Sequence, residues 1–372
     1  MKVAMWYNNR DIRSEEQSLR RPGPREMMVK VASCGICGSD IVEWYRLPRA
    51  PLVQGHELGA EVVETGAEVT RFRPGDRVFV APKVPCLECR HCHDGHFPQC
   101  AGVKERLPGG FAEYILVPPI LLERGTYLLP ESISFDQSTF IEPLACVIRA
   151  QTIAGLRAGQ AVLVLGCGMS GLLQVQAAKH RGCRVVATDI DRKRLARATE
   201  LGADLTLAAT EDVPAHLADF LHGKADAVIL CTAALPAVDQ AWTAVDKGGA
   251  IVFFAVPGPD KRVEIPINTF WTQEIRVLTC YYCGPPDIEA SMRLLACREI
   301  EVDLDVGVVG VDAPALAREI GVEVDDTVGG DRVGQTADPD LAAGFECHLV
   351  LHLGVGFVGD EDAAGRRLVL EP

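Results

Sequence analysis

Residues 161–182 read AVLVLGCGMSGLLQVQAAKHRG. An apolar run ends in glycine, three glycines follow as Gly166-x-Gly168-x-x-Gly171, and a helical pattern runs to Gly182. A buried strand, a tight turn and a helix in that order make the front half of a βαβ unit, and the spacing gives each glycine a task. Gly166 permits the turn. Gly168 lets the backbone approach a pyrophosphate. Gly171 lets the helix pack on the sheet, with its N-terminus towards the phosphates. The next strand, CRVVATDID, carries Asp189, 18 residues past Gly171. A carboxylate there accepts hydrogen bonds from ribose hydroxyls and repels a 2′-phosphate, which points to NAD rather than NADP.

The alternation continues along the chain. RKRLARATELGA reads as a helix, KADAVILCTA as a strand, LPAVDQAWTAVDKGG as a helix and AIVFFAVPG as a strand. Strands alternating with helices argue for an α/β domain with a parallel sheet, placed here at 148–283. FIEPLACVIRAQTIAG, at 140–155, has helical spacing and leads into it. DIEASMRLLACRE, at 287–299, reads as a returning helix. Residues 1–147 have another texture. MMVKVASCGI, GAEVVETG, DRVFVAP and FAEYILVP are short alternating runs between turn residues, the pattern of a β-rich, barrel-like domain. A length of 372 residues suits two such cores better than one. The remainder, 284–372, reads as a return to the first domain, with an atypical acidic, Gly- and Asp-rich segment from about 303.

Charge and cysteine usage narrow the function. The net charge is −14, and residues 303–372 supply −11 of it, from fifteen acidic residues, four arginines and no lysine. An acidic chain without a basic stripe does not suit nucleic acid. No apolar run reaches the roughly 20 residues of a membrane span. The start, MKVAMWYNNRDIRSEE, turns polar too soon for a signal peptide. Fourteen cysteines in a long chain of that kind point to reduced thiols and metal ligation, with the cytoplasm as the expected compartment.

Residues 86–100, CLECRHCHDGHFPQC, set Cys86, Cys89, Cys92 and Cys100 at C-x2-C-x2-C-x7-C spacing. Four thiolates closing tetrahedrally on zinc leave no position for substrate, so the cluster reads as a structural clasp. The interleaved His91, His93 and His96 read as exposed loop residues or as a substitute ligand. Chemistry at a metal needs an open position, and the donors for it lie elsewhere. CGICGSD offers Cys37, GHELG offers His56 and Glu57, and IEPLACV offers Glu142. Taken singly, a cysteine or histidine of this kind is more often a packed core residue. Their weight comes from standing beside the dinucleotide motif and the thiol cluster.

CGICGSD, GHE, the thiol cluster, GGFAEY, EPLACV and GCGMSG follow one another in this order. Over about residues 1–300 the chain resembles the zinc-containing medium-chain dehydrogenase/reductase family. Glu142-Pro143 and GHE bring it nearest to the polyol (sorbitol or iditol) and threonine dehydrogenase branch. The resemblance implies a GroES-like catalytic domain and a Rossmann domain with a doubly wound parallel sheet. It implies two zinc ions per chain, one catalytic and one structural, and NAD. By position, Cys37 and His56 ligate the catalytic zinc, with Glu57 and Glu142 as the carboxylates at that ion. Asp40 orients His56, and Ser39 takes the proton of a secondary alcohol or polyol substrate. Gly166, Gly168, Gly171, Asp189 and Arg194 hold the cofactor. Zinc acts as a Lewis acid on the alcohol, and the nicotinamide accepts the hydride. A homodimer or homotetramer is implied, since GGAIVFFAVPG resembles the strand region through which family members pair their sheets.

Two departures stand out. The family often ends its proton relay at a histidine two residues after the SD aspartate, and this chain has Val42. After about residue 302 the family's usual returning segment is not recognisable. A diverged terminus and a frame change in the coding sequence both account for that, and RRLVLEP resembles a family ending. Arg46 and Arg49, in the loop between the metal motifs, either meet an anionic substrate or only solvate the loop. A cyclic hydroxyacyl-CoA or an amino alcohol is the alternative substrate. A non-catalytic zinc- and nucleotide-binding protein on the same fold is the alternative of another class.

Overall fold

The computed structural model describes residues 1–103 and 105–302, together with the backbone of Val350–His352. The expectations for the acidic segment and the RRLVLEP ending fall on 303–349 and 353–372, outside the described residues. Two compact units form. One holds Met1–Val84 and Val103–Phe140, the other Pro85–Gly102 and Ile141–Asp303.

The first unit is antiparallel throughout its described strands. These are β1 (Lys2–Asn8), β2 (Asp11–Glu16), β3 (Met27–Gly35), β4 (Leu52–Val53), β5 (Glu57–Thr65), β6 (Arg77–Val80), β7 (Tyr114–Val117) and β8 (Thr126–Leu128). One sheet runs β2-β1-β4. A second runs β3-β5-β6-β8, with β7 also on β3 and the strand Val350–His352 against Gly35–Ser33. Alternation drives the packing, because successive side chains leave a strand on opposite faces. Val29, Val31, Val62, Val78, Ile115 and Val117 meet in one apolar cluster. Each such side chain contributes roughly 1.5–3 kcal/mol on full burial.

The second unit is a six-stranded parallel sheet. Its strands are β9 (Ala161–Leu165), β10 (Arg184–Asp189), β11 (Leu205–Ala208), β12 (Ala225–Leu230), β13 (Val245–Phe253) and β14 (Arg276–Thr279), in the order β11-β10-β9-β12-β13-β14. Numbered from β9, that is 3-2-1-4-5-6, the doubly wound order that binds dinucleotides where the winding reverses, here between β9 and β12. All five residues of β9 are buried, as a parallel strand covered on both faces requires.

Two placements are not visible in chain order. The helix Ile141–Ala154 runs unbroken across the sequence boundary at 147 and belongs to the second unit. The cysteine loop also groups there, although it is inserted in the sequence of the β-rich half. Arg149 of that helix donates to Gly95 O at 2.9 Å. The Phe97 ring fills the space where Gly284 has no side chain. Residues 248–253 of the segment GGAIVFFAVPG lie in β13, which is paired on both sides, by β12 and β14, so the edges of this sheet are β11 and β14.

Candidate active site and metal centres

In the first unit, Cys37 caps a single 3-10 turn, Gly38–Asp40. Its Sγ accepts from Ser39 N at 3.4 Å, and its own N–H donates to Asp40 Oδ2 at 3.1 Å. The turn therefore fixes Cys37, Ser39 and Asp40 as one rigid piece. His56 and Glu57 arrive from another segment, at the start of β5. Gly55, at φ +89, makes that entry possible, because a Cβ there would stand 2.7 Å from the Phe111 ring and 2.9 Å from Cys34 Sγ. One donor atom each from Cys37, His56 and Glu57 lies within 4.8 Å of the other two.

The donor chemistry fits a cation. Glu57 is fully buried, and a buried carboxylate is costly unless it is paired or coordinates a metal. Burial pushes the Cys37 thiol up to about 12, and the Glu57 carboxylate adds to that rise. Burial alone would depress His56, but Asp40 and Cys37 outweigh it and hold the imidazole well above its ordinary value. A coordinating ion deprotonates such a thiol outright.

Asp40, 1% exposed, is the hub behind these donors. Its Oδ1 lies 3.4 Å from His56 Nδ1, the contact that fixes a ligating imidazole's orientation. Sequence reasoning missed the third partner. Arg46 Nη2 donates to Asp40 Oδ1 at 2.7 Å and to Ser39 Oγ at 2.7 Å, while its Nε donates to Ser39 O at 2.8 Å. The stretch read as a loop is a short helix, Glu43–Arg46, followed by a 3-10 turn, Leu47–Arg49, and this coil returns Arg46 to Ser39. Arg49 donates to Tyr45 O and lies over the Tyr45 ring. The Arg46 guanidinium is therefore engaged inside the protein.

In the second unit, Cys86, Cys89, Cys92 and Cys100 bring their sulfurs within 4.8 Å of one another. The Cys86–Cys92 and Cys89–Cys92 separations are 3.9 and 3.5 Å. A tetrahedron with zinc–sulfur bonds of 2.3 Å has edges of about 3.8 Å. Backbone N–H groups are aimed at the sulfurs, from Cys86 and Gly102 to Cys100 and from Cys89 to Cys86. Burial raises Cys92 to about 12. In Cys100 burial is outweighed by the Cys86 and Gly102 N–H groups, and its pKa falls to about 6. His91, His93 and His96 are exposed.

Glu142 is in the second unit as well. It groups with Cys146 and Cys283, a set the sequence reading did not assemble. The spacings Glu142-x3-Cys146 and Cys280-x2-Cys283 were its visible signal.

The nucleotide turn is built as its glycines require. Gly166 sits at φ +96, and a Cβ on Gly171 would collide with Gly166 O. Gly168 caps the helix Met169–His180. Asp189 ends β10, 6% exposed; it accepts from Cys167 N at 2.6 Å and Asp191 N at 2.8 Å, with Arg194 Nη1 at 3.9 Å. It thus ties the glycine turn to the end of the next strand.

The model of the alcohol dehydrogenase GroES-like domain matches residues 23–124, and that of the zinc-binding dehydrogenases matches 171–297. With these two domains and a Cys–His–Glu donor set, the molecule is of the zinc-binding dehydrogenase class. Sorbitol dehydrogenase of Gallus gallus is 32% identical over 310 residues, covering 78% of this chain and 84% of that protein. (R,R)-butanediol dehydrogenase of Bacillus subtilis (strain 168) is 32% identical over 298 residues, 74% of this chain and 82% of that one. A zinc-binding dehydrogenase from Sinorhizobium meliloti 1021, solved bound to NADP, superposes with a TM-score of 0.72 at 30% identity, covering 81% of this chain and 90% of its own. The chain belongs to the zinc-dependent medium-chain dehydrogenase/reductase family, in its polyol dehydrogenase branch.

Proposed function

We propose that the protein oxidises a secondary alcohol or polyol with NAD as hydride acceptor, using one catalytic and one structural zinc. The observation that carries this reading is the meeting of a thiol, an imidazole and a buried carboxylate from two separate segments, Cys37 with His56 and Glu57. When bound, zinc supplies Lewis acidity towards the alcohol and NAD takes up the hydride. The chain's own residues do the rest. Cys37, His56 and Glu57 hold the ion, and Glu142 is the further carboxylate that the family pattern adds. Asp40 keeps His56 in one orientation. Ser39 Oγ accepts from Arg46, which leaves its remaining lone pair to receive the alcohol's proton and its own hydroxyl hydrogen to pass onward. Arg46 cannot accept a proton onward, so the relay leaves Ser39 by another route than position 42, through water or a ribose hydroxyl. Gly166, Gly168 and Gly171 cradle the pyrophosphate. Asp189 and Arg194 meet the adenosine ribose.

The anionic-substrate reading loses support, because Arg46 is spent on Ser39 and Asp40. NAD is favoured over NADP by the carboxylate of Asp189. A homo-oligomer is proposed with it, paired through the β14 edge. The test is a panel of secondary alcohols, polyols and hydroxyacyl thioesters offered with NAD⁺ and NADP⁺, followed by reduced-nicotinamide absorbance. Turnover of a polyol or secondary alcohol with NAD⁺ supports the reading. Turnover of the thioesters alone, or with NADP⁺ alone, contradicts it.

A further inference from the structure

A second group of thiols lies in the parallel-sheet unit, apart from the clasp. Glu142 and Cys146 stand four residues apart on the helix Ile141–Ala154 and so share a face. Cys146 Sγ is 3.4 Å from Glu142 Oε1. Just after β14, Cys280-Tyr-Tyr-Cys283 forms a C-x2-C turn with Tyr282 at φ +58. One donor atom each from Glu142, Cys146 and Cys283 lies within 4.8 Å of the other two. Cys280 Sγ is 3.9 Å from Cys146 O, which puts a further thiol at the rim.

We propose that Glu142, Cys146 and Cys283 form a third metal site, for a thiophilic divalent ion such as zinc or cadmium. Two donors one helical turn apart, facing a C-x2-C turn, have the spacing by which proteins hold zinc. Thiols select a soft ion over magnesium or calcium. A buried thiol serves as a small apolar group, whereas Glu142, 5% exposed, adds a carboxylate oxygen beside two of them. A disulfide between Cys146 and Cys283 would give the carboxylate no part.

The experiment uses the full-length protein as isolated, equilibrated with cadmium and freed of excess ion. Bound metal is counted by elemental analysis, and new cadmium–thiolate bonds are read from ultraviolet absorbance. Wild type is set beside Cys146→Ser/Cys283→Ser and Cys37→Ser. The double variant is expected to hold one ion fewer than wild type and to show less cadmium–thiolate absorbance, the remainder belonging to Cys37 and the clasp. The Cys37→Ser variant keeps the contribution of Cys146 and Cys283. Equal metal in wild type and the double variant overturns the site. Two thiols missing from wild type as a disulfide overturn it too. The criterion is a difference between proteins, so it stands even if the Cys37 centre holds no metal. Should the double variant fail to fold, Cys146→Ala, at a partly exposed helix position, is read by the same count, and full metal there overturns the site.

Discussion

Asp40 is one buried carboxylate serving three partners: the Cys37 N–H, the His56 imidazole and the Arg46 guanidinium. Its geometry sets those of His56 and, through Arg46, Ser39 together. Arg46 completes the arrangement, because its planar fork reaches Asp40 and Ser39 at once, which a lysine ammonium on a flexible stem does poorly. Arg46→Gln should lower kcat by about 10- to 100-fold, the size expected from losing a charge-assisted hydrogen bond worth roughly 1.5–3 kcal/mol, while KM and zinc content change little. Arg46→Lys should fall between. Steady-state kinetics with elemental analysis check both. A large rise in KM with unchanged kcat would instead mark Arg46 as a substrate contact. Asp189 admits a similar argument. Its carboxylate fixes the glycine turn, and in the proposed reading it meets a ribose. Asp189→Ser should weaken kcat/KM for NAD⁺ by about 10- to 100-fold on the same energetic scale and narrow the preference over NADP⁺. An unchanged cofactor ratio would show that Asp189 does not discriminate.

The element scale shows what the sequence made legible. β9 announced itself because a strand covered on both faces must be apolar throughout, and AVLVL is. The glycine turn was legible because Gly166 and Gly171 answer steric demands that no other residue meets. The gathering of four thiols was legible because Cys86, Cys89, Cys92 and Cys100 lie close together in one loop of the sequence. Contacts made by irregular coiling or by distant segments were not. Arg46 looked like a solvated loop cation, and only the short helix Glu43–Arg46 brings it back seven residues to Ser39. The Cys146–Cys283 pairing spans two elements far apart in the chain, so each half carried its spacing but not its partner. The unit to which the clasp loop belongs was equally hidden, since insertion point and packing partner differ. If the loop 85–102 is held by its ion, Cys100→Ser should remove one zinc per chain and lower the melting temperature, with chelator producing the same shift in wild type. Calorimetry with metal analysis checks this. A melting temperature unaffected by chelator would make the four thiols ordinary packing.

At the scale of the whole molecule, two units divide the labour. An antiparallel unit supplies Cys37, Ser39, Asp40, His56 and Glu57 from one rigid turn and one strand start. A doubly wound unit supplies the glycine turn, Asp189, Arg194, Glu142 and the clasp. Among the described residues no helix is long and apolar enough to cross a membrane. The family assignment and the donor set agree on one class of chemistry, zinc-dependent oxidoreduction of an alcohol or polyol. Its most direct test is NADH formation from a polyol by wild type and by Cys37→Ser, with zinc counted in both. The account predicts turnover in wild type, and in the variant turnover near background with one zinc lost and the clasp zinc kept. Full turnover by Cys37→Ser, with its zinc content unchanged, would contradict it.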